Sequence, residues 1–342
     1  MTMVRARAPL RLGLAGGGTD VSPYTELHGG YVLNATIDRY AYATIKALDG
    51  EQLRFIAADQ QTEKVKQIDE PLQLNGKLDL HKAVYNAMIG TYNKGVALPI
   101  EMTTYCDAPA GSGLGASSTL VVAMVRAFAE FLNLPLDDYT IAKLAFQIER
   151  VDCGLGGGRQ DQYSAAFGGF NFMEFYEGER VVVNPLRIKN HIICELEASL
   201  LLYYTGVSRE SARIISSQRD NVMHGEASAL EAMHGIKREA LSMKEALLTG
   251  NLAGMVESMR QGWESKKRSA RTVSSELIDQ VFDAAIQAGA LAGKVSGAGG
   301  GGFMMFYVPP EKRMAVASTL LRHGGQVSNC HFTKHGTQAW RI

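Results

Sequence analysis

The spacing of apolar residues along the chain predicts a mixture of helices and strands. Between residues 137 and 151, apolar side chains recur three and four positions apart, which predicts a helix with one buried face. These side chains are Ile141, Leu144, Ala145 and Ile148. Segments rich in β-branched and aromatic residues predict strands. They are residues 4–14, 31–46, 53–57, 99–106, 170–175, 180–183, 200–205, 290–296, 303–308 and 326–332.

Helical patterns occupy much of the remaining chain. Further helices are predicted over residues 80–92, 116–132, 160–166 and 310–321. Helices also dominate from about residue 209 to residue 288, with breaks expected around Gly235, Gly250 and Arg271. The element order predicts an α+β fold with two domains, residues 1–189 and residues 190–342. A chain of 342 residues is long enough for two such cores.

Composition and charge restrict the functions that the chain can have. Its 35 basic and 35 acidic residues balance, so nothing favours nonspecific binding to nucleic acid or to a membrane surface. No window approaches the roughly 18 apolar residues of a membrane span, and the apolar patch Leu12–Ala15 is too short for a signal peptide. The four cysteines form no CxxC pair, which is typical of buried thiols in a reducing compartment.

We therefore expect a soluble cytoplasmic protein whose partners are small molecules, not nucleic acid or membranes. The sequence is compatible with a homo-oligomer or a monomer, because the helix-rich stretch 209–288 could contact a second copy or pack within its own domain.

Glycine is the residue type whose frequency is unusual. The chain has 36 glycines, about one residue in ten, against a usual share of roughly 7%. They are concentrated in four clusters, at residues 16–18, 111–115, 154–158 and 297–302. Each cluster lies beside a predicted strand or helix, where backbone N–H groups can hold a phosphorylated ligand. Tight structural turns would also explain any single cluster.

The segment from Pro109 to Thr119 is the most informative of these clusters. It contains three glycines and leads into a predicted helix, so backbone N–H groups and the helix dipole can converge on an anion. The candidate phosphate-binding residues are Gly111, Ser112, Gly113, Leu114, Gly115, Ala116, Ser117 and Ser118. The segment lacks the lysine of a P-loop. A dinucleotide-binding unit is disfavoured as well, because the following residues look helical where a second strand is required.

Two carboxylates and an arginine are candidates for phosphoryl-transfer chemistry. Glu149 ends a predicted helix and Asp161 follows twelve residues later, so both can point into one cleft. Mg²⁺ takes one or two carboxylates, which makes Glu149 a candidate ligand, and Asp161 is the candidate base for the attacking hydroxyl. Arg11 could orient Asp161 and neutralise a transferring phosphoryl group. Asp20 could accept hydrogen bonds from substrate hydroxyls. Solvated surface charges and an Asx turn would account for the same residues.

Three segments, in this order, resemble the three motifs of the GHMP kinase family, which includes galactokinase, homoserine kinase and mevalonate kinase. They are Ala8–Arg11, Pro109–Ser118 and Lys294–Gly302. The resemblance covers nearly the whole chain. It implies an N-terminal domain similar to domain 2 of ribosomal protein S5, a ferredoxin-like C-terminal domain, and ATP and Mg²⁺ as cofactors.

The resemblance also implies roles for single residues. The loop Gly111–Gly115 corresponds to the loop around the ATP phosphates. Ser117 corresponds to the serine that coordinates Mg²⁺, with Ser118 as its alternative, because relatives often have a serine where this chain has Ala116. Glu149 corresponds to the Mg²⁺ carboxylate.

In the acceptor site, Asp161 corresponds to the acid beside the nucleophilic hydroxyl, and Arg11 to the basic residue that supports this acid. The substrate-binding residues implied are Gly17, Gly18, Thr19, Asp20, Asp161, Gly299 and Gly300.

The acceptor implied by the resemblance is a phosphorylated sugar. Residues 5–20 and 156–163 look most like family members that act on D-glycero-D-manno-heptose 7-phosphate, and Gly16-Gly17 replaces the Gly-Glu-His of galactokinase. The expected reaction phosphorylates the anomeric hydroxyl to give the 1,7-bisphosphate, for nucleotide-activated heptose and surface polysaccharide. The cationic side chains that could hold the substrate phosphate are Arg159, Arg209, Arg213, Lys266, Lys267 and Arg268.

Three alternatives stay open at the level of sequence. A fucose- or galactose-type sugar 1-kinase would use the same motifs with an unphosphorylated acceptor. A catalytically silent sensor on this fold would be expected to lose Asp161, Glu149 or Ser117, all of which are present. An NAD(P)-dependent oxidoreductase would need the missing second strand.

Overall fold

A computed structural model describes residues 3–58, 61–65, 71–207 and 211–342 of the chain. Its strands, in chain order, are β1 (Met3–Ala15), β2 (Gly30–Ala47), β3 (Leu53–Ala57), β4 (Gln61–Val65), β5 (Ile100–Cys106), β6 (Phe170–Phe175), β7 (Val181–Pro185), β8 (Leu200–Tyr204), β9 (Ala292–Val295), β10 (Phe303–Tyr307), β11 (Gln326–Asn329) and β12 (Gln338–Arg341). Its α-helices are α1 (Tyr24–His28), α2 (Asp79–Tyr92), α3 (Ala116–Phe131), α4 (Asp138–Phe146), α5 (Gln160–Phe167), α6 (Asn190–Ser199), α7 (Ser211–Met223), α8 (Ala227–Thr249), α9 (Leu252–Ser269), α10 (Glu276–Gln287) and α11 (Arg313–Leu321). A π-helical turn spans Gln147–Asp152, and short 3₁₀ turns span Arg271–Val273 and Pro310–Lys312.

The larger sheet has eight strands within the described residues. Six of them follow the order β12-β1-β2-β5-β3-β4, and β6 and β7 extend from β2. Strand β2 is long enough for two neighbours, because residues 41–47 pair with β5 and residues 30–35 pair with β6. All pairs are antiparallel except β3 with β5. Strand β2 thus connects the β5-β3-β4 part of the sheet to the β6-β7 part.

The burial of strand β1 increases along its length, and its fully buried half leads to the candidate site. Residues 3–8 alternate between half-buried and buried, as expected for a strand with one solvated face. From Ala8 to Ala15 every residue is buried, because helices α8 and α9 pack over this part of the strand while α3 and α5 cover the opposite face. Arg11 therefore lies in the interior, with 3% of its surface exposed.

The smaller sheet is antiparallel, in the order β11-β8-β10-β9. One of its faces contributes Leu200, Leu202 and Met305 to a core shared with β1, β2 and α8. The other face packs against α10 and α11 around Phe306 and Trp263. The segment that links β9 to β10 consequently lies close to the C-terminal end of β1.

The predicted α+β class is confirmed, and most predicted elements lie within a few residues of the observed ones. The predicted helix over residues 137–151 is α4 continued by the π-helical turn. The predicted break at Gly235 is wrong, because α8 runs through this position. A side chain there would come within 2.7 Å of Ser265 Oγ, so the glycine serves the close packing of α8 on α9. The sequence did not predict α1, β4, α6 or β12.

The division at residue 189 stays a prediction. The smaller sheet begins after it, at Leu200, but the last strand returns to the larger sheet, where Val4 pairs with Arg341. The first and last strands of the chain are therefore neighbours.

Candidate active site

The four predicted glycine clusters meet around one cavity of about 430 Å³. Its glycine lining comes from all four clusters: Gly18, Gly111, Gly113, Gly115, Gly156, Gly157, Gly158 and Gly297. The charged side chains along its walls are Arg11, Asp20, Arg150, Asp161 and Lys266. Segments that are almost 300 residues apart in the sequence thus form a single polar site.

Arg11 and Asp161, which both line this cavity, form an ion pair. Arg11 Nε and Nη2 both donate to Asp161 Oδ1, at 2.8 Å and 2.6 Å. Asp161 lies in the first turn of α5 and keeps 17% of its side chain exposed, whereas the Arg11 side chain keeps 4%. Among the described residues, Asp161 Oδ2 has no hydrogen-bond partner, so this oxygen is available to a group that enters the cavity.

Arg11 also joins the phosphate-binding loop to the third motif. Its Nη1 donates to the carbonyl oxygen of Gly113 at 2.6 Å, and its backbone N donates to Leu114 O at 3.1 Å. Ser296 Oγ donates to the same Gly113 oxygen at 3.0 Å. One buried guanidinium therefore contacts Asp161 and the glycine loop at once, and a hydroxyl of the third motif shares the loop oxygen.

The second and fourth glycine clusters touch each other through their backbones. Gly113 has φ +81°, and a Cβ there would lie 2.5 Å from Ser296 O. A Cβ on Gly297 would lie 2.8 Å from Gly113 O. No side chain fits at either position, so both loops require glycine at their contact. Phe303 N also donates to Ser112 O at 2.8 Å.

Asp20 holds the start of helix α5. Its Oδ2 accepts from the backbone N of Gln160 at 3.0 Å, and its Oδ1 accepts from Gln160 Nε2 at 3.0 Å and from Gly18 N at 3.2 Å. Only 3% of Asp20 is exposed. A carboxylate at a helix N-terminus is favourably placed relative to the helix dipole. Asp20 thereby positions the turn that carries Asp161, a contribution that the sequence did not predict.

Ser117 and Glu149 form a pair of oxygen ligands at the other end of the loop. Ser117 Oγ donates to Glu149 Oε1 at 2.8 Å, and Ser117 lines the cavity. Glu149 is fully buried, and its Oε2 accepts from Gln162 Nε2 at 2.6 Å. Glu149 lies in the π-helical turn, a deviation that often marks functional sites.

The chemistry of this pair fits Mg²⁺. Hydroxyl and carboxylate oxygens are the hard donors that Mg²⁺ prefers, and it commonly keeps waters and substrate phosphates as its other ligands. Among the described residues, no group of three or more His, Cys, Asp or Glu side chains could hold a metal ion by itself. Phosphates and water would therefore have to complete a shell here.

Ser118 has a different environment. It is fully buried, and its Oγ accepts from Arg150 Nη2 at 3.0 Å and from Gln162 Nε2 at 3.2 Å. These contacts tie helix α3 to the π-helical turn and to α5. Arg150 itself lines the cavity, a position that the sequence did not predict.

The remaining loop residues act through their backbone or as lining. Gly111, Gly115 and Ala116 line the cavity. The side chains of Ser112 and Leu114 are fully buried, away from it.

A second cavity, of about 280 Å³, adjoins the first at Ala110, Ala116 and Ser117. Its other walls come from the end of β3, the start of α2 and the end of β5: Ala57, Gly76, Leu78, Asp79, Leu80, His81, Thr104, Tyr105, Cys106, Ala108 and Leu120. No spacing pattern in the sequence marks these residues. They come together only because β5 leads into the glycine loop and α2 packs beside α3.

Two buried lysines reach the site from the C-terminal part of the chain. Lys266 Nζ donates to Gly17 O at 3.0 Å and to Gly297 O at 2.8 Å, and burial lowers its pKa to about 8. Lys294 Nζ donates to Leu14 O at 2.9 Å; burial, followed by repulsion from Lys266, lowers its pKa to about 7.

Of the six cationic candidates for the substrate phosphate, Lys266 lines the cavity. Arg209 lies outside the described residues. Arg213 and Arg268 are exposed, Lys267 pairs with Glu264, and Arg159 lies over the ring of Phe146.

Three of the predicted substrate-binding residues hold turns and do not line the cavity. Thr19 is fully buried; its Oγ1 contacts Gly16 O at 2.8 Å and accepts from Tyr31 N at 3.0 Å. Gly300 N donates to Val273 O at 2.8 Å, and Gly299 packs against the same residue. Gly18, Asp20 and Asp161 do line the cavity, and Gly17 contributes the carbonyl oxygen that Lys266 binds.

No α-helix among the described residues is long and apolar enough to cross a membrane.

Comparison with known proteins gives matches in both parts of the chain. The family model "GHMP kinases N terminal domain" matches residues 79–169, and "GHMP kinases C terminal" matches residues 243–324. The chain is 46% identical to D-glycero-alpha-D-manno-heptose 7-phosphate kinase of Campylobacter jejuni, over 100% of both chains.

A solved structure and a more distant relative extend this comparison. A structure described as a D-glycero-D-manno-heptose 1-phosphate kinase from Bacteroides thetaiotaomicron is 44% identical, covers 99% of both chains and superimposes with a TM-score of 0.84. L-fucokinase/L-fucose-1-P guanylyltransferase of Bacteroides fragilis is 27% identical over 92% of this chain and 35% of its own length.

Proposed function

Because the chain belongs to the GHMP kinase family, we propose that it transfers the γ-phosphoryl group of ATP to the anomeric hydroxyl of D-glycero-D-manno-heptose 7-phosphate, with the 1,7-bisphosphate as product. The observation that carries this proposal is the Arg11–Asp161 pair, which lies in the cavity where the glycine clusters meet. The full-length similarity to a heptose 7-phosphate kinase supports the acceptor.

In this reaction the acceptor hydroxyl approaches Asp161 Oδ2, the oxygen that Arg11 leaves free. Asp161 accepts the proton of that hydroxyl or its hydrogen bond while the new O–P bond forms. Arg11 keeps the carboxylate oriented, and its charge lies close to the phosphoryl group in transit. Most of the catalysis is positioning and charge neutralisation, as phosphoryl transfer requires.

The donor occupies both cavities in this proposal. The loop Gly111–Gly115 faces the phosphates with its backbone N–H groups, at the start of helix α3. The second cavity, largely apolar and adjoining at Ala116 and Ser117, receives the adenine ring. Ser117 and Glu149 would hold Mg²⁺, which would neutralise charge on the β- and γ-phosphates.

The acceptor lies against Gly17 and Gly18, where the absence of side chains leaves room for a large sugar. Lys266 is the cationic group that this wall offers to an anionic acceptor. We further propose cytoplasmic location and a place in the supply of nucleotide-activated heptose for surface polysaccharide. Heptose 7-phosphate and heptose 1-phosphate are both compared as acceptors, because one relative is described as a 7-phosphate kinase and another as a 1-phosphate kinase.

The proposal is tested by ADP release from the purified protein with ATP, Mg²⁺ and a panel of acceptors. The panel contains heptose 7-phosphate, heptose 1-phosphate, free heptose, L-fucose and galactose. Turnover with heptose 7-phosphate should exceed turnover with the free sugars by at least a hundredfold. Turnover of L-fucose or galactose alone would establish the fucose- or galactose-type 1-kinase instead.

The role of Asp161 is tested in the same assay. Asp161→Asn should lower kcat by about a hundredfold or more, the scale of an acid–base residue, while calorimetry still detects ATP binding. Asp152→Asn is the matched control, because Asp152 is an exposed aspartate in the π-helical turn and should keep full turnover. Near-normal turnover of Asp161→Asn would contradict the assignment.

A further inference from the structure

One wall of the active-site cavity comes from helices α7 and α9, and it carries a polar side chain, Gln218, to which the proposed function assigns no role. The side chains from this wall are Ala212, Ile215, Gln218 and Lys266. Gln218 is 6% exposed, and its Oε1 lies 3.6 Å from the point that a Cβ on Gly18 would occupy. A side chain at Gly18 would therefore contact this oxygen, whereas glycine places no side chain against it.

The orientation of the Gln218 amide is fixed by a chain of hydrogen bonds. Ser269 Oγ donates its one hydrogen to Lys266 O at 2.7 Å. Because its only hydrogen is already donated, the hydroxyl can act only as an acceptor towards Gln218, and it accepts from Gln218 Nε2 at 2.7 Å. Asn221 Nδ2 holds the same segment through Ser269 O at 3.0 Å. The amide therefore gives its nitrogen to Ser269 and leaves its carbonyl oxygen on the side of Gly18, a residue that lines the cavity.

The neighbouring ammonium group complements this oxygen. Lys266 Nζ lies beside the same turn, 3.7 Å from the point that a Cβ on Gly17 would occupy. It donates to two carbonyl oxygens and has a third hydrogen to give. A fixed acceptor and a fixed donor flank the Gly17–Gly18 segment. Sugar hydroxyls suit both groups, since a hydroxyl can donate to an amide oxygen and can accept from an ammonium group.

A phosphate group does not suit the Gln218 oxygen, because both atoms are acceptors and would repel each other. We propose that Gln218 reads a hydroxyl group of the acceptor sugar, with Ser269 as the positioning residue that fixes the amide. This inference rests on the proposed function, and it assigns part of the acceptor specificity to the C-terminal half of the chain.

The test compares Michaelis constants for acceptor and for ATP, with the sugar that supports wild-type turnover. Gln218→Leu should raise the KM for the acceptor about tenfold, the scale of one lost hydrogen bond, and leave the KM for ATP unchanged. Ser269→Ala removes the hydroxyl that fixes the amide, so it should raise the same KM several-fold and also leave the KM for ATP unchanged. Gln280→Leu, at an exposed glutamine of α10, is the control and should change neither constant.

Acceptor analogues that each lack one hydroxyl complete the test. One analogue should lose about tenfold in kcat/KM with wild type and lose nothing further with Gln218→Leu. If every such analogue loses the same factor with Gln218→Leu as with wild type, the hydroxyl assignment is overturned, and an unchanged acceptor KM would overturn the contact. If wild type turns over no phosphorylated heptose, the proposed substrate fails, and the same comparison with the sugar that is turned over still decides the role of Gln218.

Discussion

Replacing Arg11 tests the most connected contact in the site. Its guanidinium makes two contacts to Asp161 Oδ1, at 2.8 Å and 2.6 Å, and one to Gly113 O, at 2.6 Å. Arg11→Met removes all three and leaves a carboxylate and a carbonyl oxygen facing each other without a cation. Arg11→Lys keeps the charge, but a single ammonium cannot reproduce the planar fork that contacts both partners.

The expected cost follows from the burial of the two partners. Breaking a buried ion pair costs about 3–5 kcal/mol. The Asp161 side chain is 17% exposed, so water in the cavity can partly replace the lost contacts. The free energy of unfolding should therefore fall by about 3 kcal/mol for Arg11→Met, at the lower end of that range. Turnover should fall by about a hundred- to a thousandfold, the scale of losing a group that stabilises transition-state charge.

Thermal unfolding and steady-state kinetics measure both effects. Arg5→Met is the matched control, since Arg5 lies on the same strand, is half-buried and makes one hydrogen bond, to Thr44 Oγ1 at 3.2 Å. Arg5→Met should lower the free energy of unfolding by about 1 kcal/mol or less and leave kcat unchanged. The reasoning is refuted if Arg11→Met is no more destabilising than Arg5→Met, or if Arg11→Lys retains more than about a third of wild-type kcat.

Three further outcomes follow from the same geometry. Gly113→Ala should lower kcat/KM for ATP at least tenfold, because its Cβ would meet the third motif. Gly50 has a similar φ of +78°, but no atom lies within 4 Å of a Cβ there, so Gly50→Ala should lower only the free energy of unfolding, by the roughly 1–2 kcal/mol of backbone strain. Similar kinetics of the two variants would contradict the loop contact. Ser117→Ala should raise the Mg²⁺ concentration for half-maximal activity about tenfold or more, and Ser118→Ala should leave it unchanged; the reverse order would move the metal site. Burial lowers the pKa of Lys294 from 10.5 to about 7, so between these values the unfolded chain binds more protons and this lysine makes stability rise with pH. Lys294→Met should therefore show a smaller rise in melting temperature between about pH 7 and pH 9 than wild type, and parallel curves would contradict the lowered pKa.

The sequence predicted the elements of the fold better than their connections. Hydrophobic spacing located α4 and the hairpin β6–β7, because these patterns are local. Strand β12 was missed since its pairing with β1 joins the two ends of the chain. The helix through Gly235 was misjudged for a related reason: the contact that makes glycine useful there lies on α9, not in the local sequence.

The candidate site shows the same division. Arg11, Glu149, Asp161 and Ser117 could be nominated because the order of the motifs resembles a family, and the fold brings them into one region. Sequence spacing gives no information on which side chains face a cavity. The contribution of Asp20 to helix α5 therefore emerged only from the structure.

Gln218, Arg150 and the walls of the second cavity were invisible for the same reason. Each depends on long-range packing. Gln218 requires α7 to line the cavity, Arg150 requires the π-helical turn to contact α3, and the second cavity requires α2 to lie near β5.

The most direct test of the central claim is the position of the transferred phosphate. Purified protein with ATP, Mg²⁺ and heptose 7-phosphate should give a product whose ³¹P NMR spectrum has a new resonance coupled to the anomeric proton, beside the original 7-phosphate. The account predicts this 1,7-bisphosphate and its loss with Asp161→Asn. A new phosphate on any other carbon, or ADP release without a phosphorylated sugar product, would contradict it.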